Sequence, residues 1–224
     1  MPAAARVAPA GRDGRAHDAT IHHLGTGPHH DVPMAVTIAG RTSLAGAEVE
    51  LLLLAGGQRW CAAIHLGSGA LVSARWAEPV PNLVPYLVAR ARVAGDQSDA
   101  DPTRPDEVTL EAPPHPVGHA GRRRAERLLR PILHPSGEHL LGLVGPAAPY
   151  WTFDGTRPSI AVIAPTPPPT VSGGQCQFRW RNLSHSLPVL PRAFDTRPTH
   201  PRRLVIALST PRQGYCYKVV AAIL

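Results

Sequence analysis

The chain has 224 residues, a formal net charge of +7 and an apolar fraction of 43%, which is enough for one sizeable core or two small ones. Its 26 prolines and 20 glycines interrupt the apolar runs throughout, which argues against long helices and favours short strands joined by turns. No uncharged apolar run of about 18 residues occurs and the N-terminus lacks the apolar segment of a secretory signal, so neither a membrane span nor export is predicted.

The three cysteines, Cys61, Cys176 and Cys216, are too few and too far apart for a disulfide framework. Buried thiols in a reducing compartment are the simplest interpretation. We therefore expect a cytoplasmic protein.

The positive charge is concentrated toward the C-terminus. Before Thr170 the arginines and the acidic residues cancel, whereas from Thr170 onward Asp195 alone faces Arg179, Arg181, Arg192, Arg197, Arg202, Arg203, Arg212 and Lys218. Such an excess predicts an anionic macromolecule as partner. The alternative is compositional, because all basic residues except Lys218 are arginines, as a GC-rich coding sequence produces without any binding role.

Residues 1–33 contain few large apolar side chains, so they are predicted to form a disordered tail. Residues 34–224 are predicted to form a single β-rich domain. The proline-rich segment 165–170 is a candidate subdivision, since a polyproline stretch makes a stiff spacer.

Residues 34–76 predict a β-meander with strands at 34–39, 47–54, 59–66 and 70–76. Gly56-Gly57 and Gly67-Ser68-Gly69 predict the turns between the last three runs. The third and fourth runs each have one apolar face, and each of these faces carries a tryptophan, Trp60 in the third run and Trp76 in the fourth. Such faces are expected of a sheet that covers a core.

Shorter elements follow. Strands are predicted at 86–94, 107–112, 140–144, 150–153, 159–164, 176–180 and 187–190, with Asp154-Gly155 as a hairpin turn between two of them. One helix is predicted to begin near Gly121 and to end at Pro131, because Ala125, Leu128, Leu129 and Ile132 recur at helical spacing. So short a helix must be held by packing against the sheet.

The last residues predict a hairpin with arms at 204–208 and 215–224 and a loop at 209–214. Pro211 and Gly214 favour a reversal there. Both arms are apolar on both faces, so we expect a central pair of strands covered on both sides. The fold class predicted is therefore mainly β, an antiparallel barrel or sandwich with one or two short helices and a C-terminal hairpin.

No motif for catalysis, cofactor binding or metal binding stands out. The chain lacks Gly-x-Ser-x-Gly, a phosphate loop and Gly-x-Gly-x-x-Gly, and its 12 histidines lack the spacing of a zinc site. Catalytic residues and cofactors thus stay unassigned, and no metal is predicted. Histidines and carboxylates from distant parts of the chain still leave a hydrolase-like enzyme as an alternative. Another is a small-ligand barrel whose mouth is lined by Trp60, Trp76 or Trp151.

The favoured hypothesis is a non-enzymatic binding or structural module with a basic C-terminal surface. The candidate anion-binding residues belong to three segments of the chain: Arg123 and Arg127 on the predicted helix, Arg179 and Arg181 beside a predicted strand, and Arg202, Arg203 and Arg212 on the predicted hairpin. In residues 175–182 the strand period sends Phe178 and Trp180 to the core, so the arginines there are predicted to contact phosphates without stacking bases.

Overall fold

A computed structural model describes residues 44–80, 83–98, 101–191 and 202–224, and all of them belong to one compact unit. The predicted tail at 1–33 and the first predicted strand at 34–39 lie outside the described residues. The fold is mostly β, as predicted. Its elements are β1 (Glu48–Gly56), β2 (Trp60–His65), β3 (Leu71–Arg75), β4 (Leu87–Arg92), β5 (Glu107–Thr109), β6 (His115–His119), α1 (Arg122–Leu129), β7 (Ala147–Pro149), β8 (Ile160–Ile163), β9 (Thr170–Ser172), β10 (Gln175–Trp180), β11 (Leu183–Pro188), β12 (Leu204–Leu208) and β13 (Tyr215–Ile223).

The first six strands form one sheet in the order β5-β3-β2-β1-β4-β6. Strands β1 to β3 make an antiparallel meander, β4 returns to the free edge of β1, and β5 runs parallel to β3. A bridge between Val93 and Leu110 joins the chain beyond β4 to the chain beyond β5. The sheet therefore curls around one apolar cluster, the barrel core, which includes Leu51, Leu53, Cys61, Ala63, Val72, Ala74, Trp76, Val93, Val108 and Leu110.

The two tryptophans of the meander lie on opposite faces of this sheet. Trp60 pairs with Arg75, the residue before Trp76, and successive side chains of a strand alternate between faces. Trp76 is buried in the barrel core, whereas Trp60 packs on the outside of the curled sheet.

The predicted C-terminal hairpin is confirmed and lies at the centre of a four-stranded sheet, β7-β13-β12-β8. Ile206 and Val220 face one apolar cluster, the C-terminal core, while Val205 and Val219 face another, the central core. The central core also contains Ala62 and other residues from the outer face of the curled sheet. The hairpin is thus covered on both sides, as its sequence predicts.

A three-stranded sheet, β11-β10-β9, contributes Cys176, Phe178, Trp180 and Leu187 to the C-terminal core. Arg179 between them is exposed, which confirms the strand alternation expected there. Arg181 and Asn182 have φ of 51° and 60°, so they form the tight two-residue turn that joins β10 to β11.

Helix α1 buries Ala125 and Leu129 and continues through Pro131 as a single 3-10 turn. Two predicted strands are wrong, because the chain forms 3-10 turns at Leu140–Gly142 and Tyr150–Thr152. Leu141, at φ 55°, and Gly142, at φ 67°, take left-handed backbone that no strand accommodates. The hairpin predicted at Asp154-Gly155 is also wrong, since β7 and β8 lie on opposite edges of their sheet.

Candidate functional site

Exposed aromatic side chains are grouped beside the tip of the C-terminal hairpin. The exposed fraction is 64% for Trp151, 48% for Tyr150, 42% for Tyr215 and 37% for Tyr217. Ring centroids are 5.4 Å apart for Tyr150 and Trp151, 6.2 Å for Trp151 and Tyr215, and 6.5 Å for Tyr215 and Tyr217. We call these four side chains the aromatic platform. Contiguous exposed apolar surface of this kind commonly marks a binding site.

The alternation of β13 and its pairing with β7 place the four rings. Side chains of β13 alternate between its two faces. Cys216 and Lys218 are buried on one face, so Tyr215 and Tyr217 project from the opposite, exposed face. Strand β7 pairs with residues 215–217, and the 3-10 turn that follows it carries Tyr150 and Trp151. The backbone N–H of Tyr150 donates to the carbonyl of Gly214 at 3.0 Å, which fixes this turn against the hairpin.

A tight turn at Gln213 and Gly214 supports Trp151. Gln213 has φ of 51° and Gly214 of 82°, and Arg212 and Tyr215 exchange backbone hydrogen bonds of 2.8 and 3.0 Å across the turn. A Cβ on Gly214 would lie 3.2 Å from the six-membered ring of Trp151. The positive φ therefore favours glycine at position 214, and the ring of Trp151 would have to shift slightly to admit a Cβ there.

Arg212 supplies a cation to the same face. Directly opposed residues of an antiparallel pair project to one side of the ribbon, so the side chain of Arg212 lies on the face of Tyr215. It is exposed and forms no ion pair with any residue that the structure describes. A guanidinium in this state retains donors for a phosphate.

One acidic group follows the platform in sequence. Asp154 is exposed, and its carboxylate accepts hydrogen bonds from the hydroxyl of Thr156 at 2.6 Å and from its backbone N–H at 3.0 Å. These bonds hold the pKa of Asp154 below its usual value, the hydroxyl bond most strongly. Asp154 is therefore a negative charge at neutral pH, opposite in sign to Arg212.

The other predicted anion-binding arginines are spread over separate surfaces. Arg123 and Arg127 are exposed on α1, Arg179 is exposed on β10, and Arg181 is exposed in the turn after it. Arg202 and Arg203 precede β12, while Arg212 follows it. The five residues of β12 span about 17 Å, so Arg202 and Arg203 lie at the opposite end of this strand from Arg212.

Arg203 is already engaged by an acidic side chain. Its Nη1 lies 2.5 Å from Oε2 of Glu126, and only 14% of the arginine side chain is exposed. This ion pair connects the start of β12 to α1. It leaves Arg203 less available to a partner than the exposed arginines.

The C-terminal hairpin covers part of the outer face of the curled sheet. Five-stranded Greek-key barrels can bind oligonucleotides on the face of their second and third strands. Here Trp60, Ile64 and Leu71 on that face pack into the central core against the C-terminal hairpin. Trp76 is buried in the barrel core, Trp60 packs against the central core and Trp151 is exposed beside the hairpin tip, so the three tryptophans line no common mouth.

Lys218, the one lysine of the chain, is buried in the interior of the fold. It is 2% exposed, and its Nζ donates a 2.6 Å hydrogen bond to the carbonyl of Leu143. Removal from water lowers the pKa of its amine from 10.5 to about 8. No carboxylate within the described residues is paired with it. Lys218 belongs to the basic excess of the C-terminal sequence, but because it is buried it contributes nothing to the basic surface.

Two histidines share the surroundings of Lys218. His134 stacks on Trp180 with centroids 6.1 Å apart, and His185 stacks on Phe178 at 5.3 Å. Burial is the main cause that lowers both pKa values, and the charge of Lys218 lowers them further. Both imidazoles are therefore neutral at pH 7. His134 Nε2 lies 3.0 Å from the carbonyl of His139, which fixes the ring.

Asp106 anchors the loop before β5 to the start of β8. Its carboxylate accepts hydrogen bonds from the backbone N–H of Ser159 at 3.0 Å, from that of Ile160 at 3.1 Å, and from the hydroxyl of Ser159. Burial raises its pKa, although these bonds oppose the rise. The alternative of an enzyme predicts a pocket near the loops at 99–106 and 134–139, of which residues 99–100 lie outside the described part of the chain. Within these loops, the hydrogen bonds of the Asp106 and His134 side chains go to other groups of the protein.

The sequence patterns missed the platform. Those patterns predict a strand at 150–153 and place Tyr215 and Tyr217 in a hairpin arm that is covered on both sides. One signal was present: three of the chain's four tyrosines lie in the platform, and two of them alternate with Cys216. Aromatic residues with a polar end suit half-exposed positions.

Comparison of the chain with protein-family models, with curated proteins and with solved structures found no match. No helix in the described ranges has the length and apolarity needed to cross a bilayer. The described residues also contain no group of three His, Cys, Asp or Glu side chains placed to hold a metal ion.

Proposed function

We propose that this chain is a binding module that holds a single-stranded nucleic acid on the aromatic platform. The observation that carries the proposal is the unbroken series of exposed rings from Tyr150 to Tyr217, with Arg212 on the same face. The three free, buried cysteines are in keeping with a reducing cytosol as the place where it acts.

Stacking and charge together favour a single strand over other anions. Each base stacked on an aromatic side chain contributes about 1–3 kcal/mol, and a basic side chain nearby follows the phosphates. A duplex hides the faces of its bases, so it offers the platform nothing to stack. The exposed arginines of α1 and β10 add the long-range attraction that raises the rate of encounter.

The test is fluorescence anisotropy with labelled 12-nucleotide single strands of DNA and RNA and with a matched duplex, at low and moderate salt. We expect the single strands to bind more tightly than the duplex and all binding to weaken with salt. Trp151→Ala should weaken single-strand binding about tenfold, since about 1.4 kcal/mol of stacking is lost.

Matched variants separate the platform from the general surface. Leu183→Ala removes another exposed apolar side chain, 57% exposed and outside the platform, and should leave affinity unchanged. Arg212→Gln should reduce the slope of log affinity against log salt by about 1. Arg179→Gln removes an exposed arginine from another surface and should have a smaller effect.

Three outcomes contradict the proposal. One is single-strand affinity that Trp151→Ala leaves intact. Another is equal affinity for duplex and single strand, which would make charge the sole cause. The third is binding to anionic phospholipid vesicles or self-association through the platform, with no affinity for the oligonucleotides; either result would assign these rings a different partner.

A further inference from the structure

The turn between β2 and β3 brings a serine hydroxyl to an imidazole. Oγ of Ser68 lies 2.8 Å from Nδ1 of His65. Ser68 is exposed, and His65 is half-buried at the end of β2. The sequence predicts only a hairpin turn at Gly67-Ser68-Gly69, and nothing in the aromatic platform uses these side chains.

The backbone N–H of Ala70 donates to Oγ of Ser68 at 3.3 Å, which leaves the hydroxyl its own hydrogen and one lone pair. When the ring hydrogen of His65 lies on Nε2, the hydroxyl donates to Nδ1, and this is the tautomer that an activated serine requires. Burial lowers the pKa of His65, so the imidazole is neutral at pH 7.

The backbone of the turn holds the pair in place. The carbonyl of His65 accepts from the N–H of Gly69 at 2.8 Å, and its own N–H donates to the carbonyl of Ala70 at 2.9 Å. A Cβ on Gly67 would lie 3.1 Å from Nε2 of His65, so the ring lies close to the backbone of the turn and would have to shift slightly to admit a larger residue. The contact is thus built by backbone geometry and does not depend on a flexible side chain alone.

We propose that Ser68 is a nucleophile activated by His65 and that it accepts an acyl group from small activated esters. A nucleophile hydrogen-bonded to a neutral base is the arrangement that acyl transfer requires. Because Ser68 is exposed, a small substrate reaches it without an opening of the fold.

The atoms balance over two steps. Oγ of Ser68 bonds to the ester carbonyl carbon while its proton passes to Nδ1 of His65, and the bond to the leaving alkoxide or phenoxide breaks as that group takes the proton. Water then attacks the acylated serine, gives a proton to Nδ1, and releases the carboxylic acid as Oγ of Ser68 recovers the proton. General-base assistance of this kind contributes about 10²–10⁴-fold to a rate.

The test uses the full chain with p-nitrophenyl acetate, following release of p-nitrophenolate and locating the acetyl group by mass spectrometry of peptides. The one lysine side chain, Lys218, is buried, and the p-nitrophenolate that Ser68→Ala still releases measures the background from the histidines and the α-amine. We expect acetylation at Ser68, abolished in Ser68→Ala and reduced at least tenfold in His65→Gln. The rate should fall as the pH drops below the pKa of His65, because the protonated ring is no longer a base.

Ser136→Ala is the matched control, because Ser136 is also an exposed serine before a glycine in a turn, and it should leave the acetylation unchanged. Circular dichroism of each variant shows whether the fold is retained. Acetylation that persists in His65→Gln, that occurs equally at Ser136, or that is absent from Ser68 in the folded protein overturns the proposal.

Discussion

Replacement of Lys218 by methionine tests the energetic role of the buried amine. The pKa falls from 10.5 to about 8 on folding, which corresponds to about 3 kcal/mol of unfavourable free energy for the charged form. Methionine has a similar length and no charge, but it loses the hydrogen bond to Leu143, which costs about 1 kcal/mol. Lys218→Met should therefore stabilise the protein by about 2 kcal/mol at pH 7.

The pH dependence gives the sharper measurement. Between pH 8 and 10.5 the unfolded chain keeps the lysine proton and the folded protein has released it, so stability of the wild type rises with pH across this window. The variant lacks this rise of about 1.4 kcal/mol per pH unit, so its advantage should disappear at about pH 9.5 and give way to a deficit of about 1 kcal/mol, the lost hydrogen bond, by about pH 10.5. Burial also raises the pKa of Cys61 to about 12 and that of Cys176 to about 11. Because the wild type and the variant both contain these thiols, their contribution cancels in the difference between the two stabilities.

The assay is urea unfolding followed by tryptophan fluorescence at pH 7, 8, 9 and 10. Leu208→Met is the matched control, because Leu208 is buried and directly opposite Lys218 on β12, and its effect should not change with pH. Loss of stability in Lys218→Met at every pH would refute the reasoning, since it would mean that the amine stabilises the fold through a charged partner.

Three further predictions concern the packing and the two anchoring contacts. Ile206 is fully buried in the C-terminal core, so Ile206→Ala should destabilise by about 2–5 kcal/mol in chemical denaturation; a change below about 0.5 kcal/mol would mean that the hairpin is not central. Asp106→Ala leaves the N–H groups of Ser159 and Ile160 without an acceptor and should cost about 3 kcal/mol or more, whereas an unchanged midpoint would show that water replaces the carboxylate. Gly214→Ala should shift the aromatic circular dichroism and weaken oligonucleotide binding, because the new methyl group meets the ring of Trp151; normal binding would show that the ring adapts.

The sequence by itself determined the β-rich class, most strand positions and the central hairpin. These follow from local rules: alternation places Phe178 and Trp180 inward and Arg179 outward, and glycine or proline marks the turns. The end of α1 close to Pro131 also follows from a local rule, because a proline disfavours the α conformation of the residue before it. The predicted strands at 140–144 and 150–153 failed because a run of four or five apolar residues has no period that separates strand from turn.

Tertiary structure alone decided which side chains meet. Tyr217 and Val219 lie on the same face of β13, yet Tyr217 is exposed and Val219 is buried. The reason is that the curled sheet covers the end of the strand that carries Val219 and leaves the other end open. Lys218 lies on the opposite face of β13, where Leu143 and the C-terminal core remove it from the basic surface that its charge suggested. Tyr150 and Trp151 join Tyr215 only through the pairing of β7 with β13, a contact between residues more than sixty positions apart in sequence. Local patterns predict the direction of a side chain, but its partners depend on long-range packing.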